Sequence, residues 1–325
     1  MTCLGLDIGG ANLKAADGLG AAVQIPFALW KTPDRLATEI AALLRHFPPS
    51  DAIALTMTGE LCDCFPNKAA GVRHIVDAVV RAAEGATVRV WTMAGEFASV
   101  DAVRLDPLQA AATNWLALAA FAGRMLPSGP GLLVDLGSTT CDIIPLIDGT
   151  PQPRGRTDAE RLASGELVYC GVRRTPLCAV FGLAKAAEWF ATTADAFVVL
   201  GDLPEEPNSS DSADGRPVTI PFARARLARM ECADDWPAAQ AIAFATDVRQ
   251  RLVRRIAASV REVVGRSPGK LAGVITAGAG EFLLPDVFRD ADIGAPHVSL
   301  AQTLGPRQST AACAHAVAVL GRERP

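Results

Sequence analysis

No uninterrupted apolar run in this sequence approaches the roughly 20 residues that a bilayer-crossing helix needs, so no membrane role is expected. A basic excess is missing as well: 31 Lys and Arg stand against 35 Asp and Glu, for a net charge of −4. Such a balance offers no general attraction to nucleic acid or to anionic lipid, so any affinity for phosphate has to be local. Histidine is scarce, with 4 in the chain. His46 is expected to end a helix, His74 to begin one and His315 to lie on a late Ala-rich helix. None has the partners that a Ser/His/Asp or Cys/His nucleophile requires. The 8 cysteines fall at irregular spacings, and Met1-Thr2-Cys3 runs straight into an apolar strand without a basic or cleavable leader. These features predict free thiols in a reducing cytoplasm. Cys62-Asp63-Cys64, with His74 ten positions beyond, lacks the second pair that would mark a zinc site.

What is present is the composition of a globular enzyme, 50% apolar and 20% charged. At 325 residues the chain has room for about two domains. Within it one motif occurs twice, as Leu4-Gly5-Leu6-Asp7-Ile8-Gly9-Gly10-Ala11-Asn12-Leu13-Lys14 and as Leu132-Leu133-Val134-Asp135-Leu136-Gly137-Ser138-Thr139-Thr140-Cys141-Asp142. Each reads as an apolar strand ending in Asp, a tight Gly-containing turn, and a second apolar strand. Such a hairpin turns backbone N–H groups and small hydroxyls toward an anion, while the strand-end Asp can hold a hydrated cation. Two copies facing each other would clamp a polyphosphate and its metal.

The rest of the chain alternates strands and helices. Helical spacing is found over Pro33–Phe47 and Gly71–Ala83, and short apolar strands over Ala52–Met57 and Val88–Thr92. Pro107 stands where a helix should begin, and Leu108–Met125 predicts one buried on most sides. Pro127–Gly131 is the best boundary between an N-terminal domain (1–126) and a C-terminal one (127–325). Pro204–Pro217 has almost no apolar residue and reads as a surface loop, a candidate for mobility. A long helix is predicted over Trp236–Val264 and a last one over Ser309–Leu320, packing back toward the N-terminal domain. Between them Leu271–Thr276 runs as a strand into Ala277-Gly278-Ala279-Gly280-Glu281, a turn that offers free N–H groups at a helix start.

Two phosphate hairpins followed by a strand–Gly-x-Gly element resemble the superfamily of acetate and sugar kinases, heat-shock chaperones and actin. That likeness implies an α/β fold of two duplicated actin-like (ribonuclease H-like) domains with an interdomain cleft. A nearer resemblance is to the hydantoinase/oxoprolinase-like proteins of the tetrahydromethanopterin-linked one-carbon pathway. It is carried by Asp7–Asn12, Met57–Leu61 with Asp63-Cys64-Phe65, Asp135–Thr140, Glu166–Tyr169, Gly171–Pro176, Thr193-Ala194-Asp195, Ala213–Arg216 and Leu227–Met230. One branch of that family acts in methanofuran biosynthesis. The sequence departs from its archaeal pattern at Gly59, where alanine is expected.

The resemblance implies a transferase that joins an aminomethylfuran methyl diphosphate to the phenol oxygen of a tyramine- or tyrosine-type acceptor and expels diphosphate. ATP is admitted by such a cleft but not required by this reading. Asp7 and Asp135 are then the candidate anchors for Mg²⁺, directly or through water. Lys14, Gly9, Gly10, Asn12, Gly137, Ser138, Thr139, Thr140, Gly278 and Gly280 are candidates for holding phosphate. Glu60, after a buried strand and a glycine, is the candidate base for the phenol proton. Arg173 and Arg174 sit in an aperiodic segment, where they would meet a phosphate or carboxylate, or form an interdomain salt bridge. The rival readings are an ATP-dependent small-molecule kinase or amidohydrolase, and a nucleotide-dependent chaperone or regulator. Partners are expected to be small molecules, and a homo-oligomer is left open.

Overall fold

The apolar run Cys3–Ile8 forms β1, buried at every residue, and turns back through Gly9–Ala11 into β2 (Asn12–Ala16). β3 (Ala22–Pro26), β4 (Ala52–Met57), β5 (Thr87–Trp91) and β6 (Phe97–Ser99) complete a sheet in the order β3-β2-β1-β4-β5-β6. β1, β4 and β5 are parallel, β2 and β6 run against them, and β3, antiparallel to β2, runs in the direction of β1. β4 is also buried throughout, as a central strand covered on both faces should be.

The computed structural model, which describes residues 2–324, repeats this plan in its second half. β7 (Pro130–Leu136) and β8 (Cys141–Ile147) make the second hairpin, followed by β9 (Thr150–Pro151), β10 (Leu167–Val168), β11 (Gly273–Ala277) and β12 (His297–Ser299). The sheet order is β10-β8-β7-β11-β12, with β9 beside β8. β11 and β12 lie parallel to β7 as β4 and β5 lie parallel to β1. The fold is the expected pair of duplicated actin-like α/β units.

Register carries the duplication to single residues. Asp7 faces Lys14 across the first hairpin, and Asp135 faces Asp142 across the second. The long helix Ala238–Val264 buries Ala241, Phe244, Ala245, Val248, Leu252, Ile256, Val260 and Val263, a three-to-four-residue stripe laid onto the second core. Helix Ala312–Glu323 lies on β1 and β4 of the first sheet and against helix Asn114–Ala122. The approach is close enough to need glycine: a Cβ on Gly5 would sit 1.9 Å from the Ala314 carbonyl oxygen.

One local expectation is corrected. The single helix over Leu108–Met125 is broken into a 3-10 turn (Pro107–Ala110), the helix Asn114–Ala122 and a second 3-10 turn (Gly123–Met125). Between the first two pieces Ala112 takes φ +50°, and the fully buried Thr113 turns its hydroxyl to Thr56 (3.1 Å) and the Trp91 carbonyl (3.2 Å). Tertiary hydrogen bonds to a neighbouring strand thus override an Ala- and Leu-rich helical pattern. The Pro204–Pro217 segment is the expected surface loop, and two of its residues are paired: Asp214 with the fully buried Arg226 at 2.9 Å and Glu206 with Arg173 at 2.7 Å.

Candidate active site

Both hairpin turns close in the same way. The Gly9 N–H donates to the Asn12 carbonyl at 3.0 Å, and the Gly137 N–H donates to the Thr140 carbonyl at 2.8 Å. That leaves the N–H groups of Gly10, Ala11, Ser138 and Thr139 without a backbone acceptor among the described residues. Free donors at each turn are what an anion cradle requires. The Ser138 and Thr139 hydroxyls stand 3.4 Å apart at the second turn. Gly171 lies against that turn, where a Cβ would come within 2.5 Å of the Thr139 nitrogen and cover it.

The strand-end acids are near enough for the charge of Asp7 to act on Asp135. Lys14 Nζ is 3.7 Å from Asp7 Oδ2, while Asp7 Oδ1 is buried without a partner. Burial raises the Asp7 pKa, and Lys14 works against that rise. Burial would lower the Lys14 pKa, but the charges of Asp7, Cys313 and Asp135 outweigh it and raise the pKa, keeping the ammonium protonated. Asp135 is pushed up to about 7 by burial and by repulsion from Asp142, Asp7 and Glu281, with Lys14 opposing. Asp142 is also raised by burial, against its ion pair with Arg161 at 2.6 Å. The Arg161 guanidinium in turn lies 4.0 Å from the Trp115 ring centroid. Cys313, on the helix laid across the first sheet, has its thiol pushed up by burial and by the carboxylates of both hairpins.

Four carboxylates (Asp7, Asp135, Asp142, Glu281) therefore outnumber two cations (Lys14, Arg161) at the cradle. An anion entering such a field needs added positive charge. The donors present are hard oxygens, one of them orphaned, which suits Mg²⁺. No group of three or more His, Cys, Asp or Glu is placed to hold a metal among the described residues. Asp7 and Asp135 would be the residues to hold Mg²⁺ here, and it would supply that positive charge. Near the first turn, the His74 ring makes a 3.0 Å hydrogen bond with the Pro33 carbonyl and does not join Cys62 and Cys64 as ligands.

Glu60 follows β4 on a 3-10 turn, 1% exposed, and neither carboxylate oxygen has a hydrogen-bond partner. Burial pushes its pKa up to about 7. Lys68 and Asp158, whose charges both act on Glu60, form a 2.8 Å ion pair that joins the N- and C-terminal halves. Gly71 admits the Glu60 backbone, since a Cβ there would lie 2.4 Å from the Glu60 carbonyl oxygen.

Other candidates turn out to support the site. Asn12 accepts from the Gln24 side chain at 3.3 Å and so ties β2 to β3. Arg173 is committed to Glu206, and Arg174 lies 5.0 Å from the Trp30 ring centroid and 3.6 Å from Asp211. The interdomain contact of Arg174 is thus to an aromatic face. The Gly280 N–H donates to the Leu136 carbonyl at 2.7 Å, so it is unavailable to a ligand. Gly278, at φ +92°, lets the chain pass Asp135: a Cβ would sit 2.4 Å from Asp135 Oδ1. Gly278→Ala is therefore expected to cost about 1–3 kcal/mol of stability through the strained φ alone, and to lower turnover, as denaturant titration and a rate measurement would show.

A family model for hydantoinase/oxoprolinase matches residues 51–323. The chain belongs to the hydantoinase/oxoprolinase family. One relative, the (4-{4-[2-(gamma-L-glutamylamino)ethyl]phenoxymethyl}furan-2-yl)methanamine synthase of Methanocaldococcus jannaschii, is 33% identical over 98% of this chain and 96% of its own length. The Methanococcus vannielii protein of the same description is 32% identical over 49% of this chain and 75% of its own. Among solved structures, a glucokinase of the ROK family from Streptomyces griseus, in complex with glucose and AMPPNP, superposes at TM-score 0.52, with 15% identity and coverage of 99% and 100%. That likeness speaks for the actin-like fold alone. This family member is an enzyme, of the kind represented by the methanofuran-pathway synthases it resembles. No described helix is long and apolar enough to cross a membrane.

Sequence reasoning passed over Asp142, Arg161, Glu281, Cys313 and Gly171. A signal for Asp142 was there: it stands seven residues after Asp135, as Lys14 stands seven after Asp7. Cys313 arrives from a distant helix and left no local trace.

Proposed function

We propose that this enzyme condenses an aminomethylfuran methyl diphosphate with the phenol oxygen of a tyramine- or tyrosine-type acceptor, releasing diphosphate, in the making of a methanofuran-type cofactor. The observation that carries the reading is the end-to-end likeness to the Methanocaldococcus jannaschii synthase. That relative's described product contains an aryl ether between a furanylmethyl carbon and a phenol. The site supports it with an anion cradle and, apart from the cradle, a buried carboxylate.

In this reading the furfuryl carbon–oxygen bond breaks with its electron pair going to diphosphate, and the furan oxygen shares the positive charge left on carbon. The N–H groups of Gly10, Ala11, Ser138 and Thr139, the hydroxyls of Ser138, Thr139 and Thr140, and the Lys14 ammonium face the charge that develops on the leaving group. Mg²⁺, anchored at Asp7 and Asp135, supplies the remaining neutralisation when bound. Glu60 accepts the phenol proton as the phenol oxygen bonds to carbon. A pKa of about 7 suits that task near neutral pH.

Incubating the protein with Mg²⁺, the furan diphosphate and a phenolic amine is expected to release diphosphate and form the ether, without ATP. Formation of ADP from ATP with no ether product would overturn the reading.

A further inference from the structure

A cavity of 280 Å³ lies where the β5–β6 turn of the first sheet meets β9 of the second and helix Asn114–Ala122. Its volume is close to the lower end of the range of about 300–1,000 Å³ usual for small-molecule sites. It shares no lining residue with the candidate active site. Met93, Trp115, Leu116 and Pro151 give it apolar walls, and Arg156 and Arg324 bring two cations to it. No Asp or Glu lines it, although acids outnumber bases in the chain as a whole.

The two arginines are anchored on the same turn. Arg156 donates from Nη1 to the Met93 carbonyl at 3.1 Å, and Arg324 donates from Nη1 to the Gly95 carbonyl at 2.7 Å. The Arg324 backbone is held in turn by Arg89, which donates to its carbonyl at 2.5 Å. Among the described residues neither guanidinium makes another hydrogen bond or an ion pair. Each is thus fixed by one nitrogen while its remaining N–H groups stay unused. A guanidinium held in this way presents a planar fork that fits a carboxylate through two parallel bonds. The apolar walls suit a hydrocarbon or aromatic body and offer no hydrogen bonds to a strongly hydrated anion such as phosphate.

We infer that this cavity is a binding site for a small carboxylate with an apolar body, the carboxylate on Arg156 and Arg324 and the body against Trp115 and Leu116. The site is distinct from the anion cradle, and it stands or falls independently of the proposed reaction. Its walls come from connections of both sheets, so an occupant ties the β5–β6 turn to β9 and stabilises the folded chain.

The probe is benzoate, with benzyl alcohol as the neutral control and inorganic phosphate as the anion without an apolar body. Calorimetric titration of the full chain should show benzoate binding at least about tenfold tighter than either control, the size of one charge-assisted bond. Saturating benzoate should also raise the melting temperature. Arg156→Ala and Arg324→Ala should each weaken benzoate about tenfold. Arg156→Lys, which keeps the charge without the fork, should recover only part of that loss. Arg81→Ala, an exposed change outside the cavity, should leave binding as it was. Benzoate held at the cradle instead would be indifferent to Arg156 and Arg324, so binding that survives both alanine variants overturns the inference. Phosphate binding as tight as benzoate overturns it too, as does the absence of saturable benzoate binding up to about 10 mM; the two arginines then only hold the turn. Ala120→Phe fills the cavity with both arginines in place and keeps the test decisive should an arginine variant unfold. It should abolish benzoate binding, and unchanged binding there counts against the site.

Discussion

Asparagine in place of Asp135 is expected to lower kcat about 10²–10³-fold while making the folded protein more stable at neutral pH. The two effects have one origin. Asp135 sits among Asp7, Asp142 and Glu281, with burial and their repulsion holding its pKa at about 7, far above the ordinary 3.8. The folded state therefore binds this proton more tightly than the unfolded chain does, and stability falls as pH rises from near 3.8 to near 7. The amide carries no charge and removes the penalty, so the melting temperature of Asp135→Asn should exceed that of the wild type at pH 8 and match it near pH 4. Activity should fall because the same crowded carboxylate is the proposed anchor for the cation that neutralises diphosphate. A variant retaining full turnover would remove Asp135 from the machinery. A variant losing stability at pH 8 would contradict the electrostatic account of the cradle.

The second large effect is expected for Glu60→Gln. Glutamine keeps the shape and cannot take a proton, so kcat/KM should drop about 10²–10⁴-fold, the usual contribution of a positioned base. The wild-type rate should climb as pH rises through about 7, where Glu60 ionises. Asp135 titrates in the same range, so the limb belongs to both groups, and the residual rate of Glu60→Gln should keep only the Asp135 share. Stability again moves the other way. The folded pKa of about 7 lies above the ordinary 4.5, so ionising Glu60 destabilises the protein increasingly between those values and by a constant amount above them. Glu60→Gln should recover about 3 kcal/mol at pH 8 and nothing at pH 4, by urea titration at each pH. Loss of activity without the pH-dependent stabilisation would make Glu60 a structural residue.

Both substitutions trade stability against activity because both carboxylates are held ionisable where the fold would prefer them neutral. Buried, unpartnered or crowded acids of this kind are found where a ligand supplies the missing partner. The candidate site thus shows itself through what is unsatisfied among the described residues: the orphan Asp7 Oδ1, both Glu60 oxygens and the free turn donors.

Much of this was legible from residues alone. The two hairpins were, because an apolar strand, a Gly turn and a second strand are governed by neighbours within a dozen positions. The cross-strand partners follow from the same spacing. Arg174 was harder: its aperiodic surroundings left open a phosphate or carboxylate ligand and an interdomain salt bridge, and did not indicate the face of Trp30. The broken helix at Ala112 and Thr113 was not legible, since its cause is a buried hydroxyl bonding to β4 and β5, far away in the chain. The Gly-x-Gly turn illustrates the limit most clearly. The motif is real, yet Gly280 gives its N–H to Leu136, and Gly278 makes room for Asp135.

By itself, the sequence determined the duplicated hairpins, the α/β class and the family, because these depend on local hydrogen bonding and on patterns that survive as short motifs. Tertiary structure alone decided how the charges of the two hairpins act on one another and on Glu281 and Cys313. Asp7, Lys14, Asp135, Asp142, Glu281 and Cys313 come from six separate elements, and their pKa values depend on burial and on distances across the cleft. The field at the cradle is a property of packing: coulombic coupling depends on separation in space, which sequence spacing does not encode for elements that meet only in the fold.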